Sequence, residues 1–227
     1  MDVELKNIRV EIPPQGQLLF ELPELKVAAG ERVLIQGPSG RGKTTLLHIV
    51  AGLLRPQSGS VKVGGQDLGQ MTEPQRSAWR RDHLALVFQK LNLLPHLTSL
   101  ENVMLMRRHG EFVSREEAQE ALAQVKMSSR ERVLAAHLSL GEQQRVAVAR
   151  VLVASPQLIL ADEPTSSLDD FHTQEIIEAL LGATGGSEGV GQNKARGPQA
   201  TLVVVSHDHR LRQSFTRHLD FDQMVKA

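Results

Sequence analysis

Gly37-Pro38-Ser39-Gly40-Arg41-Gly42-Lys43-Thr44 is the stretch that decides the fold. It fits the spacing G-x-x-x-x-G-K-[ST], in which glycines allow successive backbone N–H groups to turn toward one anion. The flanks supply the setting the pattern requires. Arg32-Val33-Leu34-Ile35-Gln36 reads as a short buried strand, and Leu46, Leu47, Val50, Leu53 and Leu54 recur at helical spacing after the loop. Strand, glycine loop and helix N-terminus together make a phosphate cradle, because the positive end of the helix adds to the N–H groups. Lys43 then reaches the outer phosphates and the Thr44 hydroxyl takes Mg²⁺. Gly37, Pro38, Ser39, Gly40, Arg41, Gly42, Lys43, Thr44 and Thr45 are the candidate nucleotide-binding residues.

Further along the chain, short apolar runs alternate with helical stretches: Arg32–Gln36, Ser60–Val63, Leu84–Phe88, Leu158–Ala161 and Thr201–Ser206. Several are apolar almost throughout, as strands of a mainly parallel sheet covered on both faces are. Val3 to Leu22, turning at Pro13-Pro14 and Gly16, reads as an antiparallel hairpin beside that sheet. Leu91 to Leu138 carries no strand signal and reads as mostly helical, with a capping box at Ser114-Arg115-Glu116-Glu117. The expected architecture is a single α/β domain over 1–227. Residues 1–89 and 146–227 form its core with an antiparallel β part, 90–145 an inserted helical lobe, and 182–198 a glycine-rich mobile loop.

Composition narrows the class. A chain of 227 residues with 26 basic and 26 acidic side chains has no net field to draw nucleic acid, and no nucleic-acid partner is expected. Without cysteine it has neither disulfides nor thiolate metal sites. The apolar runs are too short to cross a bilayer, and Met1-Asp2-Val3-Glu4 lacks the basic and apolar regions of a signal peptide, so a cytoplasmic chain is expected.

Leu158-Ile159-Leu160-Ala161-Asp162-Glu163 is an apolar run ending in two acids. Strand ends of an α/β sheet line the ligand crevice, so beside a phosphate loop Asp162 suits Mg²⁺, held through water, and Glu163 the activation of an attacking water. Thr201 to Ser206 delivers His207 to the same edge; a chance pairing with His209 at a helix start, or a metal site, are the other readings of that histidine.

The order of motifs resembles the nucleotide-binding subunits of ABC transporters: the phosphate loop, Phe88-Gln89, Leu138-Ser139-Leu140-Gly141-Glu142-Gln143-Gln144-Arg145, Asp162-Glu163-Pro164, Ser167-Leu168-Asp169, then Ser206-His207-Asp208. The resemblance implies a P-loop NTPase core, ATP and Mg²⁺ as ligands, and hydrolysis between two copies joined head to tail on an integral membrane permease at the inner face of the cell membrane. Glu163, His207 and Gln89 become the catalytic set, and Thr44, Gln89 and Asp162 the metal set. Ser139, Gly141 and Glu142 act on the partner's nucleotide, and Asp169 lies at the dimer seam. Asn92-Leu93-Leu94-Pro95-His96-Leu97-Thr98 and Leu100-Glu101-Asn102-Val103 are similar to the lipoprotein-release, macrolide-export and cell-division group. In such a subunit the leucines of Lys90 to Leu97 include part of a permease groove.

Two departures from the family pattern stand out. The family's Leu-Ser-Gly-Gly-Gln is Leu-Ser-Leu-Gly-Glu here, so Leu140 adds bulk and Glu142 a carboxylate, while Ser139-x-x-Glu142 also reads as a capping box. The position of the family's base-stacking aromatic is Ile12, with Phe20 either a substitute or a core residue, and weak base selectivity is expected. The alternative to a hydrolysing motor is a low-turnover regulatory or force-transmitting subunit of a membrane complex.

Overall fold

The computed structural model describes residues 1–12, 14, 16–108, 110–166, 168–185 and 199–226. In chain order the elements are β1 (Val3–Ile12), β2 (Gln17–Val27), β3 (Arg32–Gln36), α1 (Lys43–Val50), β4 (Ser58–Val63), β5 (Gln66–Asp67), α2 (Glu73–His83) and β6 (Leu84–Val87). There follow α3 (Ser99–Met104), β7 (Arg107–Arg108), β8 (Glu111–Phe112), α4 (Arg115–Gln124), α5 (Leu140–Ala154), β9 (Leu158–Asp162), α6 (Asp170–Ala183), β10 (Thr201–Ser206), β11 (Arg217–Asp220) and α7 (Phe221–Met224).

The central sheet is wholly parallel, in the order β11-β3-β10-β9-β6. Alternation along its strands sends side chains to opposite faces. Leu34, Ile159, Ala161, Leu202 and Val204 join Val148 and Val151 of α5 and Ile176 and Leu180 of α6, in a core that runs on to Leu122 and Met127. Val33, Ile35, Leu158, Leu160, Val203 and Val205 join Leu46, Ile49 and Val50 of α1 and the inner side chains of β1 and β2. Burial on both faces explains why β9 and β10 read as unbroken apolar runs.

The second sheet is antiparallel, in the order β2-β1-β4-β5. Burial along β1 alternates through Val3 and Leu5, then resumes a step out of phase at Ile8 and Val10. The switch lies at Asn7, with a φ of 51°, where the β1–β4 register shifts between Lys6 and Arg9; the β1–β2 ladder skips Asn7 and Pro23 without changing register. Proline has no N–H to give a ladder, and here it stands on the edge strand, where that loss is tolerated. The hairpin strand therefore continues past Leu22 to Val27.

Other differences from the sequence reading have equally local reasons. Ser60–Val63 belongs to β4 of the antiparallel sheet, not to the parallel one; Val61 and Val63 are buried while Lys62 is exposed, the pattern of a strand wetted on one side. The edge strand β11 carried no apolar signal, since Arg217-His218-Leu219-Asp220 buries little. Among the described residues of Leu91 to Leu138 only α3, α4 and two short 3₁₀ turns are helical, and β7 and β8 form a small antiparallel ribbon. Gly182 and Ala183 end α6, Thr184 and Gly185 follow as its C-terminal turn, and 186–198 of the expected loop lie outside the described residues. No helix among the described residues is long and apolar enough to cross a membrane.

Candidate nucleotide site

The glycine loop follows β3 at the carboxyl edge of the parallel sheet. Gly42 caps α1 with φ 106°, and a Cβ there would lie 2.8 Å from the Phe20 ring, so both conformation and space require glycine. Gly40, also at positive φ, has nothing within 4 Å of a built Cβ, which leaves that side of the loop open. No side chain caps α1, so its first N–H groups are not taken by a side-chain acceptor. Lys43 is buried, and its ammonium donates to the carbonyls of Gly37 (2.7 Å) and Pro38 (2.8 Å). Arg41 instead turns outward to an ion pair with Asp222 at 2.8 Å.

The two acids arrive from β9. Thr44 Oγ1 donates to Asp162 Oδ2 at 2.7 Å, tying the start of α1 to the strand end. Burial pushes the Asp162 carboxyl above its ordinary value, and the Thr44 hydrogen bond offsets part of that rise. Glu163 turns sharply at φ 48°, its N–H donating to Val205 O at 2.9 Å. Its carboxylate accepts from Ser206 Oγ (2.7 Å) and the His207 N–H (3.1 Å), and lies 2.8 Å from His207 Nδ1. An ionised carboxylate can only accept, so the Nδ1 of His207 carries a proton toward it.

Ser39, Gly40, Gly42, Lys43, Thr44, Thr45, Gln89, Asp162 and Glu163 line one cavity of about 360 Å³ together with Leu19. Gly37, Pro38 and His207 line a neighbouring cavity of about 570 Å³, and His207 meets the first group through Glu163. A larger cavity of about 870 Å³, lined from α4, α5 and α6, shares no residue with either. The site is thus marked by its donors and acids rather than by its size. Ile12 is 44% exposed at the end of β1, whereas Phe20 is fully buried edge-on to Phe221 at 5.4 Å, so Phe20 is a core residue and not a base platform.

The other sequence candidates lie outside this cavity lining. Ser139 is the N-cap of α5: its hydroxyl accepts from the Glu142 N–H (3.3 Å), and the Glu142 carboxylate accepts from the Ser139 N–H (2.8 Å) and from Arg130 Nε (2.9 Å). These bonds, the Ser139 backbone first, hold the Glu142 carboxyl below its ordinary value. Gly141 packs near Leu168, and Leu140 is 52% exposed. Asp169 caps α6, accepting from the His172 N–H at 2.8 Å.

Some supporting residues were not anticipated. Gln36 ends β3 as a buried amide that donates to Asp208 O (3.2 Å) and accepts from Arg212 Nε (2.6 Å), and Thr165, fully buried, donates to Asp208 Oδ2 (3.0 Å). A polar residue closing an otherwise apolar strand was the one available signal for Gln36.

A parallel sheet with a glycine loop between β3 and α1, and two acids closing β9, defines a P-loop NTPase fold. The ABC transporter family profile matches residues 21–166. An uncharacterized ABC transporter ATP-binding protein of Mycobacterium tuberculosis is 38% identical over 215 residues, 92% of this chain and 62% of that protein. The lipoprotein-releasing system ATP-binding protein LolD of Chromohalobacter salexigens is 38% identical over 213 residues, covering 92% of this chain and 85% of its own length. Among solved structures, the dimeric ATP-binding cassette MJ0796, in a post-hydrolysis state bound to ADP and Pi, superposes with a TM-score of 0.83 at 31% identity, over 96% of this chain and 93% of that one. The chain belongs to the ABC transporter family of ATP-binding proteins. It spans under two thirds of the length of the first mycobacterial relatives it matches.

Proposed function

We propose that this chain is the ATP-hydrolysing subunit of an ABC transporter, acting as a head-to-tail pair on an integral membrane permease at the inner face of the cell membrane. The observation that carries the reading is the single cavity lined by Lys43, Thr44, Gln89, Asp162 and Glu163. It places a cation, a hydroxyl, an amide and two acids around an open glycine loop.

In this reading the loop N–H groups and Lys43 hold the triphosphate, Lys43 exchanging its bonds to Gly37 and Pro38 for phosphate oxygens. Thr44, Asp162 and Gln89 present only oxygen donors, which suits a hard cation such as Mg²⁺. When bound, Mg²⁺ offsets phosphate charge. Glu163 orients water and takes its proton, with Ser206 and the His207 N–H holding the carboxylate in place. Because Nδ1 of His207 faces Glu163, a phosphate contact falls to Nε2, which donates only in the imidazolium. Ser139 and Gly141 add donors to the nucleotide of the second copy, Glu142 holds Ser139, and Asp169 meets the seam. Residues 90–145 serve as the lobe that receives the permease, with 1–89 and 146–227 as the nucleotide-binding core. The match to LolD supports a permease partner of the lipoprotein-releasing kind.

The test is ATP binding by calorimetry and phosphate release for the parent chain and Lys43→Ala. The parent binds ATP and releases phosphate in a Mg²⁺-dependent way, and the variant loses at least about tenfold in affinity, roughly 1.4 kcal/mol. A parent that binds ATP and releases no phosphate, alone or with membranes, overturns the hydrolytic reading.

A further inference from the structure

The segment leaving β10 does more than present His207. Ser206 Oγ and the His207 N–H hold Glu163, and two residues later the same backbone carries Asp208, whose N–H donates to Ser206 Oγ at 3.1 Å. Asp208 is anchored on three sides: Thr165 Oγ1 donates to its carboxylate, Gln36 Nε2 donates to its carbonyl, and Arg210 closes on it with a fork. In that fork Arg210 Nε donates to Oδ1 (2.9 Å) and Oδ2 (3.0 Å) of Asp208, and Nη2 donates to Oδ2 (2.7 Å). The remaining nitrogen, Nη1, reaches across to Asp170 Oδ1 at 2.7 Å and to Leu168 O at 3.2 Å. Asp169, between those two contacts, caps α6 and keeps its side chain 64% exposed.

We infer that Arg210 is a positioning residue that locks Leu168–Asp170 to the backbone segment holding Glu163, and so fixes where Asp169 stands; this rests on the proposed pairing of two chains. A planar guanidinium suits the task, since one face of the fork satisfies Asp208 while the other nitrogen spans to Asp170 and a carbonyl. Most exposed ion pairs contribute little. The Arg210–Asp208 fork differs in that the Asp208 side chain is only 12% exposed and already fixed by Thr165 and Gln36, so from a rigid base Arg210 reaches the Leu168 carbonyl and Asp170, whose own side chain is 91% exposed. A shift of Asp169 relative to Glu163 alters the seam without altering the phosphate loop, because among the described residues the hydrogen bonds of Arg210 run to Asp208, Leu168 and Asp170 and not to the loop. The expected consequence is a loss in kcat with ATP affinity preserved.

The test compares the parent with Arg210→Gln, Arg210→Lys, Asp170→Asn and the double variant Arg210→Gln/Asp170→Asn. For Arg210→Gln, kcat falls about tenfold while KM for ATP stays within about twofold, a loss in the range that misplaced groups produce. Lysine recovers only part of it, because one ammonium cannot make both the fork and the bridge. The double variant is no worse than Arg210→Gln, since both substitutions break one bridge. Hydrogen exchange supplies a readout independent of turnover: amides of residues 168–173 exchange at least about tenfold faster in Arg210→Gln, while those of β3 and α1 keep the parent rate. The parent kcat in Arg210→Gln, additive losses in the double variant, or full recovery by lysine overturns the inference. So does a loss that tracks melting temperature in every variant. If the parent itself releases no phosphate, the proposed function fails, and unchanged exchange at 168–173 is then the result that overturns the strap.

Discussion

The glycine loop and the start of α5 are both helix N-termini with polar residues, yet they solve the same problem in opposite ways. At α1 the cap is Gly42, no side chain answers the helix N–H groups, and Lys43 and Thr44 find partners only in loop carbonyls and in Asp162. At α5 Ser139 and Glu142 satisfy one another, and Arg130 takes up the remaining charge. A helix end whose donors await an acceptor is fitted to an anion. One whose cap already answers the Ser139 and Glu142 N–H groups gains a role only when a second surface meets it. The departure of Glu142 from the family pattern thereby changes meaning: its carboxylate is held in a cap and an ion pair, not left bare.

The largest expected effect lies in the first region. Glu163→Gln keeps nucleotide binding and slows phosphate release by about 10² to 10⁴, the usual worth of a positioned base; single-turnover kinetics measure it. Next comes Gly42→Ala. Its methyl group would sit 2.8 Å from the Phe20 ring at a φ that L-residues avoid, which costs about 1 to 3 kcal/mol and lowers the melting temperature by roughly 2 to 10 °C. Calorimetric ATP titration of that variant should also weaken. An alanine variant with parent stability would mean that the loop is not held by this contact.

The second region yields a smaller change. Leu140→Gly with Glu142→Gln restores the family pattern but breaks the ion pair to Arg130 and adds a glycine at the first turn of α5, costing up to about 1 kcal/mol. Phosphate release rises a few-fold and thermal stability falls slightly. An unchanged rate would show that the cap and its Arg130 partner already present Ser139 correctly.

The smallest effect separates binding from folding within the first region. The raised Asp162 carboxyl means the folded chain binds this proton more readily than the unfolded one. Asp162 therefore detracts from stability above its folded pKa, and the deficit disappears as pH falls toward and below the ordinary 3.8. Asp162→Asn should raise the melting temperature of the nucleotide-free chain by about 1 to 2 °C at pH 7, with no gain near pH 3. Mg²⁺-dependent ATP binding should weaken in the same variant. A lower melting temperature at pH 7 would reverse this assignment.

What could be read from sequence follows the same division. The loop, β9 and β10 were legible because a glycine spacing and unbroken apolar runs are local signals, and both acids close a run that announces its own end. β11 was not legible, since an edge strand such as Arg217-His218-Leu219-Asp220 buries little and shows no periodicity. β4 was visible as a strand but assigned to the wrong sheet, although its alternation at Val61, Lys62 and Val63 marks a half-buried one. The hairpin was read as far as Leu22, but β2 runs on to Val27 because pairing resumes beyond Asn7 and Pro23 at Lys6 and Glu24. The contacts of Gln36 and Thr165 with Asp208, and of Arg210 with Leu168 and Asp170, depend on segments distant in the chain becoming neighbours, which no local window reports.

The central claim is that two chains share their nucleotides, with the uncapped helix end of one meeting the capped helix end of the other. Sedimentation of Glu163→Gln with saturating ATP and Mg²⁺ tests it most directly, because slow hydrolysis holds the closed state. The account predicts a species of twice the monomer mass that reverts to monomer with ADP and is lost when Ser139→Ala is added. A monomer at every nucleotide state, with ATP demonstrably bound, would contradict it.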